Sequence, residues 1–211
     1  MRLYTYWRSS AAYRVRIALA LKGIAVEQVP VHLVRNGGEQ HAPAYRALNP
    51  QERVPALELD DGTVLIQSPA ILEYLEEVFP APPLLPAAPV ERARVRGVAA
   101  IIGCDIHPPN NSSQLAYLRR TLGHDEGEVA AWIARWVGAG FAAVEALIGE
   151  DGFCFGPEPG LADVFLIPQL YSARRFDVPL DAYPRILRVE ALAARHPAFA
   201  AAHPARQPDA E

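Results

Sequence analysis

Residues 54–75 read Val54-Pro55-Ala56-Leu57-Glu58-Leu59-Asp60-Asp61-Gly62-Thr63-Val64-Leu65-Ile66-Gln67-Ser68-Pro69-Ala70-Ile71-Leu72-Glu73-Tyr74-Leu75. Two short apolar runs flank Asp61-Gly62, a dipeptide suited to a hairpin turn because glycine accepts positive φ without a Cβ clash. Ser68 then precedes Pro69, which pairs a capping hydroxyl with a proline at the first helical position. Ile71, Leu72, Leu75, Val78 and Phe79 follow at helical spacing and predict a buried inner face. The stretch therefore predicts strand, strand, helix. Upstream, Leu3-Tyr4-Thr5-Tyr6 predicts a strand, and Ala11 to Lys22 a helix stopped by Gly23. Residues 25–31 predict a second strand, with Val26 and later residues alternating inward. A polar stretch through Asn36-Gly37-Gly38 leads to a short helix ending at Leu48. The order βαβ-ββα makes a small mixed sheet between helices, an α/β unit.

Five prolines between Pro80 and Pro89 interrupt any regular element and predict a stiff linker over residues 81–89. The expected organisation is an α/β domain over 1–80 and an all-helical domain over 90–211. Helices are expected over Arg92–Ile102, Val129–Ile148 and Arg185–Ala194. Leu161–Leu170, apolar nearly all round, predicts a central buried helix. A length of 211 residues suits one large domain or two small ones, and 51% hydrophobic with 21% charged residues excludes wholesale disorder. A formal charge of −4 argues against non-specific nucleic-acid binding. Nineteen of the twenty basic residues are arginine, Lys22 being the exception, and this alone says nothing about partners. No run of eighteen apolar residues is present, so no membrane span is expected, and the charged start at Arg2 and Arg8 is unlike a signal peptide. A cytoplasmic location is the expectation. Cys104 and Cys154 lie outside any CxxC pair, so the reading is two buried thiols, with no disulfide framework and no metal site.

Three places in the α/β half could carry chemistry. Trp7-Arg8-Ser9-Ser10-Ala11 lies where a strand gives way to a helix, whose free N–H groups favour an anion. A serine there serves as a helix cap, or donates its hydroxyl to a bound thiolate and lowers that thiol's pKa. No GxSxG turn or neighbouring histidine supports a serine nucleophile. Val54-Pro55 is a simple strand start, or a turn that leaves Val54's backbone groups open to an extended peptide-like ligand. Gln67-Ser68 at a helix start suits a carboxylate, or is a cap alone.

These residues carry a resemblance. The first eighty resemble the thioredoxin-like domain of cytosolic glutathione transferases, and the helical remainder resembles their C-terminal domain. Arg8-Ser9-Ser10-Ala11-Ala12-Tyr13-Arg14-Val15-Arg16-Ile17-Ala18-Leu19 is similar to the zeta-class signature. So are Ala47-Leu48-Asn49-Pro50-Gln51 with Val54-Pro55, and Gln67 through Leu75. The class includes maleylacetoacetate and maleylpyruvate isomerases of aromatic catabolism. The resemblance implies the glutathione-transferase fold and glutathione as cofactor. Gln67 and Ser68 would hold its γ-glutamyl end, Val54 and Pro55 its cysteinyl backbone, and Ser9, with Ser10 beside it, its sulfur. Gln40 or His41, with Gln51, would serve the glycyl end or the rim.

In the helical half, Cys104-Asp105-Ile106-His107-Pro108-Pro109-Asn110-Asn111 looks more like the maleylpyruvate isomerase branch. His107 and Asn111 would reach the cleft there, although a histidine before proline is ordinarily a helix-end residue. Arg175, the second of Arg174-Arg175 and directly before Phe176, would face the substrate, and Arg8 would face it from the other domain. Two guanidiniums match a dicarboxylate, each binding one carboxylate in a bidentate fork. Three departures stand out. Ala11 replaces the usual cysteine, Gly160 the usual Ser or Thr before the structural carboxylate Asp163, and Ser112 an arginine. The resemblance implies glutathione-dependent cis–trans isomerisation of a maleyl dicarboxylate, with thiolate addition, bond rotation and release. Ser9, Arg8 and Arg175 are the expected catalytic residues, and a homodimer the expected assembly. The alternatives are a glutathione transferase acting on small α-haloacids, or a non-catalytic interaction module.

Overall fold

The computed structural model describes residues 1–211. They form two compact units, Met1–Pro83 with Arg195–Glu211, and Leu84–Ala194. In the first unit, strand β1 (Arg2–Thr5) leads into helix α1 (Ser10–Leu21), and strand β2 (Glu27–Pro30) returns parallel to β1. Helix α2 (Pro43–Leu48) follows. Strands β3 (Ala56–Glu58) and β4 (Val64–Ile66) form the hairpin, and helix α3 (Ser68–Val78) closes the unit. The sheet order is β2-β1-β3-β4, antiparallel except for β1 with β2. Leu3 pairs with Leu57 in the central strands, and both are fully buried. Val15, Ile17 and Ala18 of α1 and Ile71, Leu72 and Leu75 of α3 join them in the core. This is the mixed-sheet, thioredoxin-like arrangement expected.

Three details differ from expectation. Strand β2 lies at the sheet edge, so Glu27, Gln28 and Pro30 are exposed and Val26 is only half-buried. The edge also explains why Pro30, which has no N–H to donate, is tolerated. Ser68 is the first residue of α3 and caps nothing. Gln67 stands at the cap, in the left-handed region (φ 70°), with no side-chain capping bond. Val78 is 50% exposed and Phe79 half-buried, because the inner stripe of α3 ends one turn earlier.

The largest difference concerns the domain boundary. Residues 195–211, expected in the helical domain, belong to the first unit. Helix α9 (Pro197–Ala202) packs on α1. The buried Arg16 of α1 donates through Nε to the Ala202 carbonyl at 3.3 Å. Its other nitrogens reach Thr5 Oγ1 and the carbonyls of Tyr6 and Trp7. The expected linker is also less open than its prolines suggest. Leu84 and Leu85 are buried, and Pro89 begins the next helix. Lys22 Nζ donates to Glu76 at 2.7 Å and to the carbonyls of Phe79 and Pro82.

The second unit is helical: α4 (Pro89–Ala100), α5 (Ser112–Arg120), α6 (Glu126–Leu147), α7 (Leu161–Arg175) and α8 (Pro184–Ala193). Helix α4 continues into a π-helical turn, Ile101–Ile106. Cys104 lies on that turn and is exposed, against the expectation of two buried thiols, whereas Cys154 is buried. Helix α6 is long and apolar enough to cross a membrane by length and composition. Its buried residues, however, are Val129, Ile133, Val137, Gly140, Phe141 and Val144, the three-to-four spacing of one stripe. A stripe of that kind marks a helix packed on a protein core. At Gly140 an added Cβ would come within 2.2 Å of Ile106 Cγ1, so that glycine permits the close approach of the π-helical turn. Every residue from Leu161 to Leu170 of α7 is buried, as its composition predicted. Asp163 sits at its N-terminus and accepts the N–H of Gly160 at 2.8 Å and of Cys154 at 2.9 Å. Burial raises the Asp163 carboxyl above its ordinary value, against the pull of those bonds. Its role is structural.

Candidate active site

Strand β1 ends at Thr5 and α1 begins at Ser10, so Tyr6–Ser9 form the connecting loop. The loop is tightly held. Ser9 N–H donates to the Tyr6 carbonyl at 3.0 Å, and Arg16 Nη2 to the Trp7 carbonyl at 2.9 Å. Trp7 N–H donates to Asp209 Oδ2 at 2.9 Å, which brings the C-terminal segment against the loop. Ser9 is the N-cap of α1, its Oγ accepting the Ala12 N–H at 3.2 Å. A hydroxyl has one proton and two lone pairs, so the capping bond leaves the Ser9 O–H able to donate. Capping and thiolate contact are therefore compatible. Ser10 is half-buried as the first residue of α1.

Arg8 is half-buried, its guanidinium 4.8 Å from the centre of the Trp7 ring and Nη2 3.2 Å from the Tyr6 hydroxyl. No carboxylate of the chain pairs with it. An arginine stacked on aromatic faces keeps its fork open to an anion.

Val54 is buried in a small cluster with Trp7, Tyr6, Val31 and Tyr45. The Val54–Pro55 peptide is cis, and β3 starts only at Ala56. Neither the N–H nor the C=O of Val54 enters the strand ladder or another backbone bond. Burial pushes the Tyr45 phenol up to about 12, so it stays protonated and donates to the Arg53 carbonyl at 2.7 Å. Gln67 Nε2 donates to Gln51 Oε1 at 2.5 Å, bringing together two of the expected residues. Ser68 is buried at the N-terminus of α3 and receives Arg14 Nη1 at 3.4 Å, an arginine that sequence reading passed over. Gln40 Nε2 contacts the Leu33 carbonyl and the His41 ring. His41 Nδ1 pairs with Glu52, a bond that with Arg46 holds the Glu52 carboxyl below its ordinary value.

In the second unit the last turn of α7 carries both arginines. Arg174 grips Glu190 through Nε at 2.6 Å and Nη2 at 2.5 Å. Arg175 instead lines a cleft of about 290 Å³ with Phe176, its guanidinium 4.9 Å from that ring. Asn110 and residues of α5 line the same cleft, among them two further arginines, Arg119 and Arg120. No sequence motif pointed to those two, since α5 itself was not foreseen. His107 ends the π-helical turn, its N–H bonded to the Ile102 carbonyl at 2.9 Å. Asn111 caps α5, its Oδ1 accepting the Ser113 N–H at 3.4 Å and the Ser112 hydroxyl at 3.2 Å.

Residues 3–83 match the family model described as glutathione S-transferase, N-terminal domain, and residues 126–201 that of the C-terminal domain. The chain belongs to the glutathione S-transferase family. Its sequence is 65% identical to the maleylacetoacetate isomerase of Pseudomonas aeruginosa, over 99% of this chain and 98% of that one. A solved structure described as holo maleyl pyruvate isomerase, a bacterial zeta-class glutathione S-transferase, superposes with a TM-score of 0.95 at 51% identity, covering 100% of both chains. Another is the maleylacetoacetate isomerase of Anaeromyxobacter dehalogenans 2CP-1 with bound dicarboxyethyl glutathione and citrate. It has a TM-score of 0.89 at 43% identity and covers 100% of this chain and 93% of that one. The zeta-class resemblance read from the sequence is borne out.

The donor set of this transferase fits glutathione. A tripeptide needs a backbone partner, and Val54 offers an N–H and a C=O that the sheet leaves open. Its terminal carboxylate needs N–H donors, and the start of α3 supplies them beside Ser68. Its sulfur needs a hydroxyl donor, and Ser9 retains one proton.

Proposed function

We propose that this chain is a glutathione-dependent cis–trans isomerase of maleyl dicarboxylates, maleylpyruvate or maleylacetoacetate. Bound glutathione supplies the nucleophilic thiol that converts the substrate's double bond transiently to a rotatable single bond and is then released unchanged. Ser9 donates its hydroxyl proton toward the sulfur, and the N-terminus of α1 adds positive potential there. Both favour the thiolate. Gln67, Ser68 and Gln51 hold the γ-glutamyl side, Val54 and Pro55 the cysteinyl backbone, and Gln40 the glycyl side. Ser10, His107 and Asn111 complete the surroundings of the cofactor. Arg8 and Arg175 each bind a carboxylate group of the substrate and stabilise the negative charge that develops beside it. Holding the substrate at both ends also fixes the double bond for attack.

The observation that carries this reading is Val54, a buried residue whose backbone pair is left open beside Trp7 of the Ser9 loop. Ala11, where a cysteine is usual, leaves no protein thiol in that loop, so the reactive sulfur must come from the bound tripeptide. The similar proteins named for both isomerase activities support the same conclusion. Assaying purified protein on both maleyl substrates, with and without glutathione, tests it. Turnover that depends on glutathione is expected. No turnover with either substrate, or turnover indifferent to glutathione, refutes it. We further infer a homodimer formed through α3 and α4, the assembly that membership of the family implies. The cytoplasm is the expected location, consistent with two unpaired cysteines.

A further inference from the structure

Helix α5 has an apolar side and a polar side. Leu115 and Leu118 are buried. Ser112, Ala116, Arg119 and Arg120 recur at i, i+4, i+7 and i+8, and all four line the cleft shared with Arg175. The first two are small, which leaves room, and the last two bring charge. Arg119 is already matched, its Nε and Nη2 donating to Glu126 at 2.6 Å and 2.8 Å. Arg120 is exposed and forms no ion pair. Charge at the last turn also suits the helix dipole, but a dipole role does not require either arginine to face a cleft. Arg120 and Arg175 line one concave space, so a single anion entering it can meet both guanidiniums.

We propose that Arg120 is a second carboxylate-binding residue, sharing with Arg175 the carboxylate group that enters this cleft. The inference deepens the isomerase reading and rests on it. A carboxylate has about four lone-pair positions, so a bidentate arginine leaves room for a second donor. Arg120 is thereby a specificity residue, favouring substrates with a carboxylate over uncharged analogues at that end.

Calorimetric titration of the glutathione-saturated protein with the saturated dicarboxylate adipate tests the assignment apart from turnover. Arg120→Ala should weaken adipate binding about tenfold, the effect of one charge-assisted hydrogen bond reduced by solvent exposure. Arg120→Lys should restore part of the loss. Dimethyl adipate should bind parent and Arg120→Ala alike. Arg94→Ala, which removes an equal charge from α4, should leave adipate binding unchanged. Adipate binding equal in parent and Arg120→Ala, an equal loss in Arg94→Ala, or no adipate binding to the parent would each overturn the proposal. Loss of the Arg120 effect alongside normal isomerisation refutes this subsite alone. A clear Arg120 effect in a protein that isomerises neither maleyl compound refutes the activity and leaves the subsite standing.

Discussion

Replacing Asp209 with alanine removes the carboxylate that accepts the Trp7 N–H at 2.9 Å and ties the C-terminal segment to the Ser9 loop. Two terms oppose each other. A hydrogen bond to a charged acceptor contributes about 1.5–3 kcal/mol, and the buried Trp7 N–H would lose its partner. Against this, Asp209 Oδ1 is buried without a hydrogen bond, a penalty that alanine removes. The net loss expected is therefore about 1–2 kcal/mol, near the lower end of that range. With a urea slope of about 2–3 kcal/mol/M for a small protein, the unfolding midpoint should fall by roughly 0.3–1 M. Because the freed segment is bonded to Trp7, which precedes Arg8 and Ser9 in the loop, kcat/KM for the maleyl substrate should fall as well. Asp209→Asn, which keeps an acceptor, should recover most of the stability. Urea denaturation followed by tryptophan fluorescence, with steady-state kinetics on the same samples, measures both effects. An unchanged midpoint together with unchanged kcat/KM in Asp209→Ala would refute the idea that this bond positions the loop.

Arg175→Ala should lower kcat/KM for the maleyl dicarboxylate at least about tenfold while leaving glutathione affinity nearly intact, and undiminished turnover would show the assignment wrong. Gly140→Ala should destabilise the protein by about 1–3 kcal/mol in thermal or urea unfolding, since its new Cβ meets the fully buried Ile106 side chain. His203 accepts the Ala205 N–H through Nδ1, and burial, with Arg206 and Arg16 nearby, lowers its folded pKa below 6.5. The unfolded chain therefore takes up this proton first, so stability from neutral His203 is present above pH 6.5 and lost as pH falls through the lowered folded value. On acidification the melting temperature of the parent should fall relative to that of His203→Asn, which has no titratable group there, and a parent that gains on the variant as pH falls would contradict this.

The hairpin and α3 were legible because their signals are local: Asp61-Gly62 turns the chain, and Pro69 suits the first turn of a helix. Gly23, in the left-handed region at φ 66°, stopped α1 close to where expected. The edge position of β2 was not legible, since alternation through Val29 and Val31 reads the same at an edge as at the centre of a sheet. Helix α5 escaped because Ser112, Ser113, Gln114, Arg119 and Arg120 leave Leu115 and Leu118 as its only buried residues. With α5 went the arginines of the cleft. The return of residues 195–211 to the first unit rests on contacts such as Trp7 with Asp209, which no local periodicity can register. Serine at position 9 and Gln67-Ser68 were readable as helix-start chemistry, whereas Arg14 behind Ser68 was indistinguishable from any helical arginine.

That return also orders events at the ribosome. The β-sheet of the first unit leaves the exit tunnel early, yet the segment bearing Ala202 and Asp209 emerges only after all of Leu84–Ala194 has been translated. At roughly 5–20 residues per second the wait is on the order of ten seconds. Until then the nascent glutathione-binding half lacks its final clasp, and the buried Arg16 has no Ala202 carbonyl to meet.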